Sequence, residues 1–149
     1  MPGIYSLTSF SEEERISRDY ICQEKPDVVI DVVDATNLER NLYLLLELLE
    51  LDVNVILAIN MEHIAKKNGV IIDADKISEL LDIPVIKVDA RDPKQAEELI
   101  KLSLHKHKRS KLTISYGEEI DNHISELTAL IKMQLKDKHT FSPRYLAIK

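Results

Sequence analysis

The chain has 149 residues, 44% of them apolar, which is enough for one domain with a sizeable core, since a fold near this length buries about two thirds of its surface. Lys+Arg 20 against Asp+Glu 26 leaves a net charge of -6, which argues against a nucleic-acid footprint spread over the whole surface, since phosphate binding wants concentrated positive charge. The single cysteine, Cys22, excludes an intrachain disulfide and a thiolate zinc cluster, and no run of about eighteen apolar residues or basic, apolar leader is present, so the expectation is a soluble, untargeted chain of a reducing cytoplasm.

In chain order, residues 11–24 predict a helix that carries Cys22 near its end. Residues 27–35 (DVVIDVVDA) follow, a β-branched run interrupted only by Asp31. Its continuous apolarity predicts a strand covered on both faces, as in parallel sheets. Leu38, Leu42, Leu45, Leu46 and Leu49 then recur at helical spacing, which predicts an amphipathic helix opened by Thr36 or Asn37 as cap. Residues 53–59 (VNVILAI) and 84–88 (PVIKV) read as further buried strands. Between them, Asp73 caps a short helix ending at Leu81, and residues 92–105 predict another helix with Pro93 in its first turn. Strand, helix, strand, helix, strand is the α/β pattern, and right-handed crossovers make the three strands parallel. Composition changes at His105-Lys106-His107-Lys108-Arg109-Ser110-Lys111, a basic run that reads as a linker or exposed helix end. Beyond it, Ile120, Ile124, Leu127, Leu130, Ile131 and Leu135 predict a long helix, and residues 141–149 predict a turn followed by the start of another helix that the chain does not complete.

Ligands of parallel α/β sheets sit at the carboxyl ends of the strands, which here are Asp34-Ala35-Thr36-Asn37, Asn60-Met61-Glu62-His63 and Asp89-Ala90-Arg91. Asn60-Met61-Glu62-His63 stands where GTPases carry Asn-Lys-x-Asp, whose Asn braces the loop and whose Asp accepts two hydrogen bonds from guanine. A neutral imidazole offers one acceptor and does not replace a bidentate carboxylate, so His63 removes the guanine-specific contact. The ordinary alternative for this tetrapeptide is a strand-to-helix turn. Asp89-Ala90-Arg91 stands where GTPases carry Ser-Ala-Lys, whose backbone amide meets the guanine oxygen. Met1-Pro2-Gly3 has the form of the end of Asp-x-Pro-Gly. The glycines, Gly3, Gly69 and Gly117, do not fit the spacing of a phosphate-binding loop. Asp31 and Asp34 fall on opposite strand faces, which argues against paired acid-base work, and Asp34 reads as a loop organiser. His105 and His107 point to different sides of a lysine-rich helix end, so solvated charge is the expected reading rather than metal ligation. Cys22 is expected to be a small packed thiol.

Residues 2–14 (PGIYSLTSFSEEE), 18–21 (RDYI), 25–51, 58–61 (AINM), 72–91, 115–120 (SYGEEI) and 142–149 (SPRYLAIK) closely resemble the cytosolic GTPase domain of ferrous iron transport protein B. VVDATNLERNLYL, residues 32–44, is the most specific part. The resemblance implies a partial P-loop GTPase-like three-layer α/β fold that keeps three parallel strands, over 1–107, followed by the start of a helical, nucleotide-release domain over 108–149. It further implies GTP or GDP with magnesium as ligand, Fe(II) transport as the process served, and a membrane only through a transporter domain outside this chain. Residue by residue, Gly3 matches the second-switch glycine, Asn60 the guanine-loop Asn, with Met61 and His63 in the same loop, and Ala90, beside Asp89, the backbone guanine contact. The phosphate loop, the first switch and the Asp before Pro2-Gly3 have no match, so hydrolysis by this chain alone is not expected. The other expectation is an interaction module, a split-protein half or self-associating chain that pairs through the open edge of the truncated sheet.

Overall fold

The computed structural model describes residues 12–105, 109–135 and 141–149. Gly3 and His107 lie outside the described residues. Three parallel strands, β1 (Val29–Asp34), β2 (Val55–Asn60) and β3 (Val85–Lys87), form one sheet in the order β1-β2-β3. Val29 pairs with Val55 at one end of the β1–β2 ladder and Asp34 with Asn60 at the other, while Leu57, Ala58 and Ile59 of β2 face Val85, Ile86 and Lys87 of β3. The register therefore brings the ends of β1 and β2 level and runs β3 out beside them. The helices are α1 (Glu12–Glu24), α2 (Leu38–Glu50), α3 (Glu62–Lys67), α4 (Ala74–Leu81), α5 (Pro93–Ser103), α6 (Glu118–Leu135) and α7 (Pro143–Ile148). This is the α/β order the apolar runs predict, followed by a helical segment.

The core lies on one side of the sheet. Val33, Val55, Leu57 and Ile59 of the strands pack with Leu44, Leu45 and Leu48 of α2, Ile21 and Cys22 of α1, and Tyr145 of α7. Leu45, Leu57 and Ile59 are fully buried, each contributing about 1.5–3 kcal/mol relative to an exposed side chain. Ile56 and Ala58, which point to the other face of β2, are equally inaccessible, so the central strand is covered on both sides as its composition requires.

β1 corrects the same expectation. Its β-branched run predicts two covered faces, yet Val32 is 54% exposed. It is an edge strand with one face partly open, because burial depends on the neighbours that the sheet provides and not on the strand's own composition. The prediction for the next turn is corrected too. Asn37 stands at the N-cap of α2 without a side-chain capping bond. Asp34 does the work one turn earlier, accepting from the Thr36 backbone N–H at 2.8 Å and its hydroxyl at 2.7 Å, and so closes the 3-10 turn Ala35–Asn37 that leads into α2. Asp73 and Asp92 cap α4 and α5 as read, through the backbone N–H groups of Lys76 and Lys94.

The basic run after α5 is pinned to the α/β part by its last residues. Arg109 pairs with Asp52 at 2.7 Å, the Ser110 hydroxyl donates to the Leu81 carbonyl, and the Lys111 N–H donates to Asp82. Glu50, buried at the end of α2, then gathers the later helices. It accepts from Arg144 Nε at 3.1 Å and from the Tyr116 hydroxyl, and its carbonyl accepts from Ser142, whose hydroxyl also caps α7 through the Tyr145 N–H. A buried carboxylate held by a guanidinium in this way fixes the geometry of the helices that meet at it.

Candidate functional site

The loops after β2 and β3 come from positions 30 residues apart and meet at one side chain. Asn60, the last residue of β2, accepts through Oδ1 from the Met61 N–H at 2.8 Å and from the Ala90 N–H at 3.3 Å. Met61 takes a left-handed backbone, φ 61, which turns the chain sharply enough to start α3 at Glu62. The short helix forms because that turn frees the Met61 carbonyl to accept from the Ile64 and Ala65 N–H groups. Glu62 Oε1 accepts from Lys87 Nζ at 2.9 Å and from Lys66 Nζ at 3.0 Å, tying α3 to the end of β3, and these two ammonium groups hold its carboxyl below the usual range.

The second loop is organised around Asp89. Its Oδ1 accepts from the backbone N–H and Nε of Arg91, both at 3.0 Å, and its Oδ2 from Arg91 Nη2 at 2.9 Å. This grip holds the Asp89 carboxyl at about 2, with the Arg91 side chain as the main cause. The Asp89 N–H donates to Gln95, and Gln95 donates to Asp92, so the turn into α5 is braced from both sides. Arg91 Nη2 also lies 3.5 Å from His63 Nε2, at the outer limit of a hydrogen bond. The structure thus brings Asn60, Met61, His63, Asp89 and Ala90 together at the carboxyl ends of β2 and β3, with Arg91 of the same strand-end tripeptide, and adds Gln95, which sequence reading did not single out. The tripeptide Asp89-Ala90-Arg91 gave no sign that the Arg91 side chain would hold Asp89.

The remaining candidates carry no site. Cys22 is buried among core side chains, and that burial pushes its thiol up to about 11. His105 Nδ1 lies 2.8 Å from the Lys101 carbonyl at the end of its own helix. Asp31 and Asp34 do lie apart, Asp31 buried and Asp34 in the turn. An apolar groove of about 640 Å³, lined by Tyr43, Leu46, Ile114, Tyr116, Tyr145 and Ile148, lies against the C-terminal half of α2 and contains none of the loop residues.

Asn60 as brace and the Ala90 amide beside it fit the base of a bound nucleotide. Among the described residues no group of three or more His, Cys, Asp or Glu is placed to hold a metal ion. Parallel strands flanked by helices, with two loops meeting at the strand ends and a helical segment following, match part of a G domain.

A family model for ferrous iron transport protein B matches residues 1–103. Across its full length the chain is 37% identical to the Fe(2+) transport protein A/Fe(2+) transporter FeoB fusion protein of Porphyromonas gingivalis, covering 18% of that relative. It superposes over 100% of its length on the cytosolic domain of the T. maritima FeoB iron transporter in GMPPNP form, with TM-score 0.84 and 37% identity, covering 59% of that chain. The FeoB G-domain from Methanococcus jannaschii is 49% identical over 68% of the chain, with TM-score 0.65 and 65% of that domain covered. The chain belongs to the ferrous iron transport protein B family. It spans less than a fifth of the curated fusion relative and part of the cytosolic domain solved from T. maritima. Among the described residues no helix is long and apolar enough to cross a membrane.

Proposed function

We propose that this chain supplies the base-recognising end of the nucleotide site in the GTPase part of a ferrous iron transporter, and that it does not hydrolyse GTP by itself. The observation that carries this reading is the Asn60 side chain bridging the Met61 and Ala90 amides, which holds the two strand-end loops at a fixed separation. The relative solved in GMPPNP form supports a nucleotide as the ligand. In this reading the Ala90 N–H, held at 3.3 Å from Asn60, turns to the carbonyl of the base, and Asn60 keeps its shorter bond to Met61. Phosphate contacts supply much of a nucleotide's affinity, and none is assigned to the described residues, so affinity here comes from the base alone. Fe(II) is the cargo of the transporter, and no residue of this chain is assigned to it.

The test is an NMR titration of the chain in magnesium buffer with guanosine and with GDP, alongside a phosphate-release assay with GTP. Matched, millimolar affinities, amide shifts confined to Met61, His63 and Ala90, and no release above the buffer blank support the reading. GDP binding far tighter than guanosine, or shifts elsewhere, overturns it.

A second reading has one observation in its favour. Val29 donates its N–H toward β2, so strand alternation turns the peptide groups of Ile30, Val32 and Asp34 outward, and no described strand pairs with them. Beside them Asp31 is only 6% exposed, and its Oδ2 has no partner among the described residues. An edge of this kind takes a strand from another chain, copies of itself included. Concentration-dependent sedimentation supports it; a monomer at every concentration with a cooperative melt counts against it.

A further inference from the structure

Resting on the nucleotide reading above, we infer that Arg91, with His63 in place of a carboxylate, makes this base site a donor of hydrogen bonds where a guanine site is an acceptor, so that its preferred base is a 2-oxopurine such as xanthine, with guanine disfavoured. Guanine offers two adjacent donors, N1–H and the 2-amino group, beside its 6-oxo acceptor, and the match for them is a free carboxylate. The loops provide none. Asp89 is the carboxylate that the two loops bring beside His63, and it already accepts three hydrogen bonds from Arg91.

His63 does not replace it. Its Nε2 faces a donor, Arg91 Nη2, at 3.5 Å, and an imidazole has at most one acceptor to set against the two adjacent donors of guanine. Arg91 itself supplies donors. Its side chain is 76% exposed, its Nε and Nη2 are engaged by Asp89 and His63, and Nη1 makes no hydrogen bond among the described residues. The two Nη1–H groups thus remain to be offered to a ligand, while the Ala90 N–H lies beside Asn60 for the 6-oxo group. Xanthine keeps the 6-oxo acceptor and replaces the 2-amino donor of guanine by a 2-oxo acceptor. Its 2-oxo group accepts where the 2-amino group of guanine opposes a guanidinium, and the N1–H is common to both bases.

The experiment is an NMR titration of the full chain with the 5′-diphosphates of xanthosine, inosine and guanosine, following the Met61, His63 and Ala90 amides. The expected order is xanthosine, then inosine, then guanosine, with about tenfold between the first and last, the discrimination of one bidentate contact. Arg91→Ala releases the Asp89 carboxylate and shifts the preference toward guanosine, and Arg91→Ala with His63→Asp reverses the order. Both positions are exposed, so unchanged shift dispersion confirms that the variants fold. Equal affinities, or guanosine bound more tightly than xanthosine by the unaltered chain, overturns this inference and leaves the nucleotide reading standing. No titration by any of the three overturns both.

Discussion

The carboxyl ends of β2 and β3 and the outer edge of β1 lie on the same small sheet, but their polar groups are treated in opposite ways. At the strand ends, Asn60, Asp89, Asp92 and Gln95 each have a partner, and Asp89 alone accepts three bonds. At the β1 edge, Val32 is more than half exposed, and the buried Asp31 leaves an oxygen without a partner among the described residues. A satisfied network is stable as it stands and is set for a small ligand at its surface. An unsatisfied buried carboxylate in an edge strand is a standing cost that a neighbouring donor would remove. The two features therefore support different partners, a nucleotide base at one place and a strand at the other.

The sharpest break in this comparison is the contrast between centre and edge. Leu57→Ala in β2 empties a fully buried site and is expected to cost about 2–5 kcal/mol in a denaturant melt. A loss below about 1 kcal/mol would mean that the sheet centre is not packed as described.

The pH dependence of stability tests the edge. Burial raises the Asp31 carboxyl from 3.8 to about 6. The folded chain then holds its proton more tightly than the unfolded chain, so the contribution is most favourable below about 4. It is lost as pH rises through about 6, a difference of roughly 3 kcal/mol at most. Asp31→Asn should flatten that slope. An unchanged pH profile would show that the carboxylate is satisfied.

Smaller effects belong to the loops. Asn60→Ala should cost about 0.5–1.5 kcal/mol and speed hydrogen exchange at the Met61 and Ala90 amides together, since one oxygen serves both. Exchange that quickens at only one of them would undo the bridge. Val32→Thr at the exposed edge should stay within about 0.5 kcal/mol of the parent chain, and a larger loss would show that this face is covered.

Much of this architecture is legible in the residues. The β-branched runs locate the strands, the leucine spacing locates α2, and Asp73 and Asp92 mark helix starts, because periodicity and capping are local properties. The residues 32–44 carry the family likeness for the same reason. The loop residues Asn60, Met61, His63, Asp89 and Ala90 are legible as candidates by their place after buried strands. What they do to one another is not. The Arg91 grip on Asp89 depends on a turn conformation, and α3 depends on a left-handed Met61 that no residue preference announces. The split between Asn37, which sits at a cap position, and Asp34, which does the capping, is likewise a matter of backbone geometry.

The sequence by itself thus determined the element types, their order and the chemistry available at each strand end, all of which follow from side-chain periodicity over a few residues. Only the tertiary structure decided how far each face of the strands is covered, which leaves Val32 exposed while Ile56 and Ala58 are sealed. It also decided that Asn60 reaches Ala90, that Arg91 reaches His63, and that Glu50 holds Arg144. Those outcomes depend on which segments are neighbours across the sheet, and neighbourhood in space is a property of the packed chain that no local pattern contains.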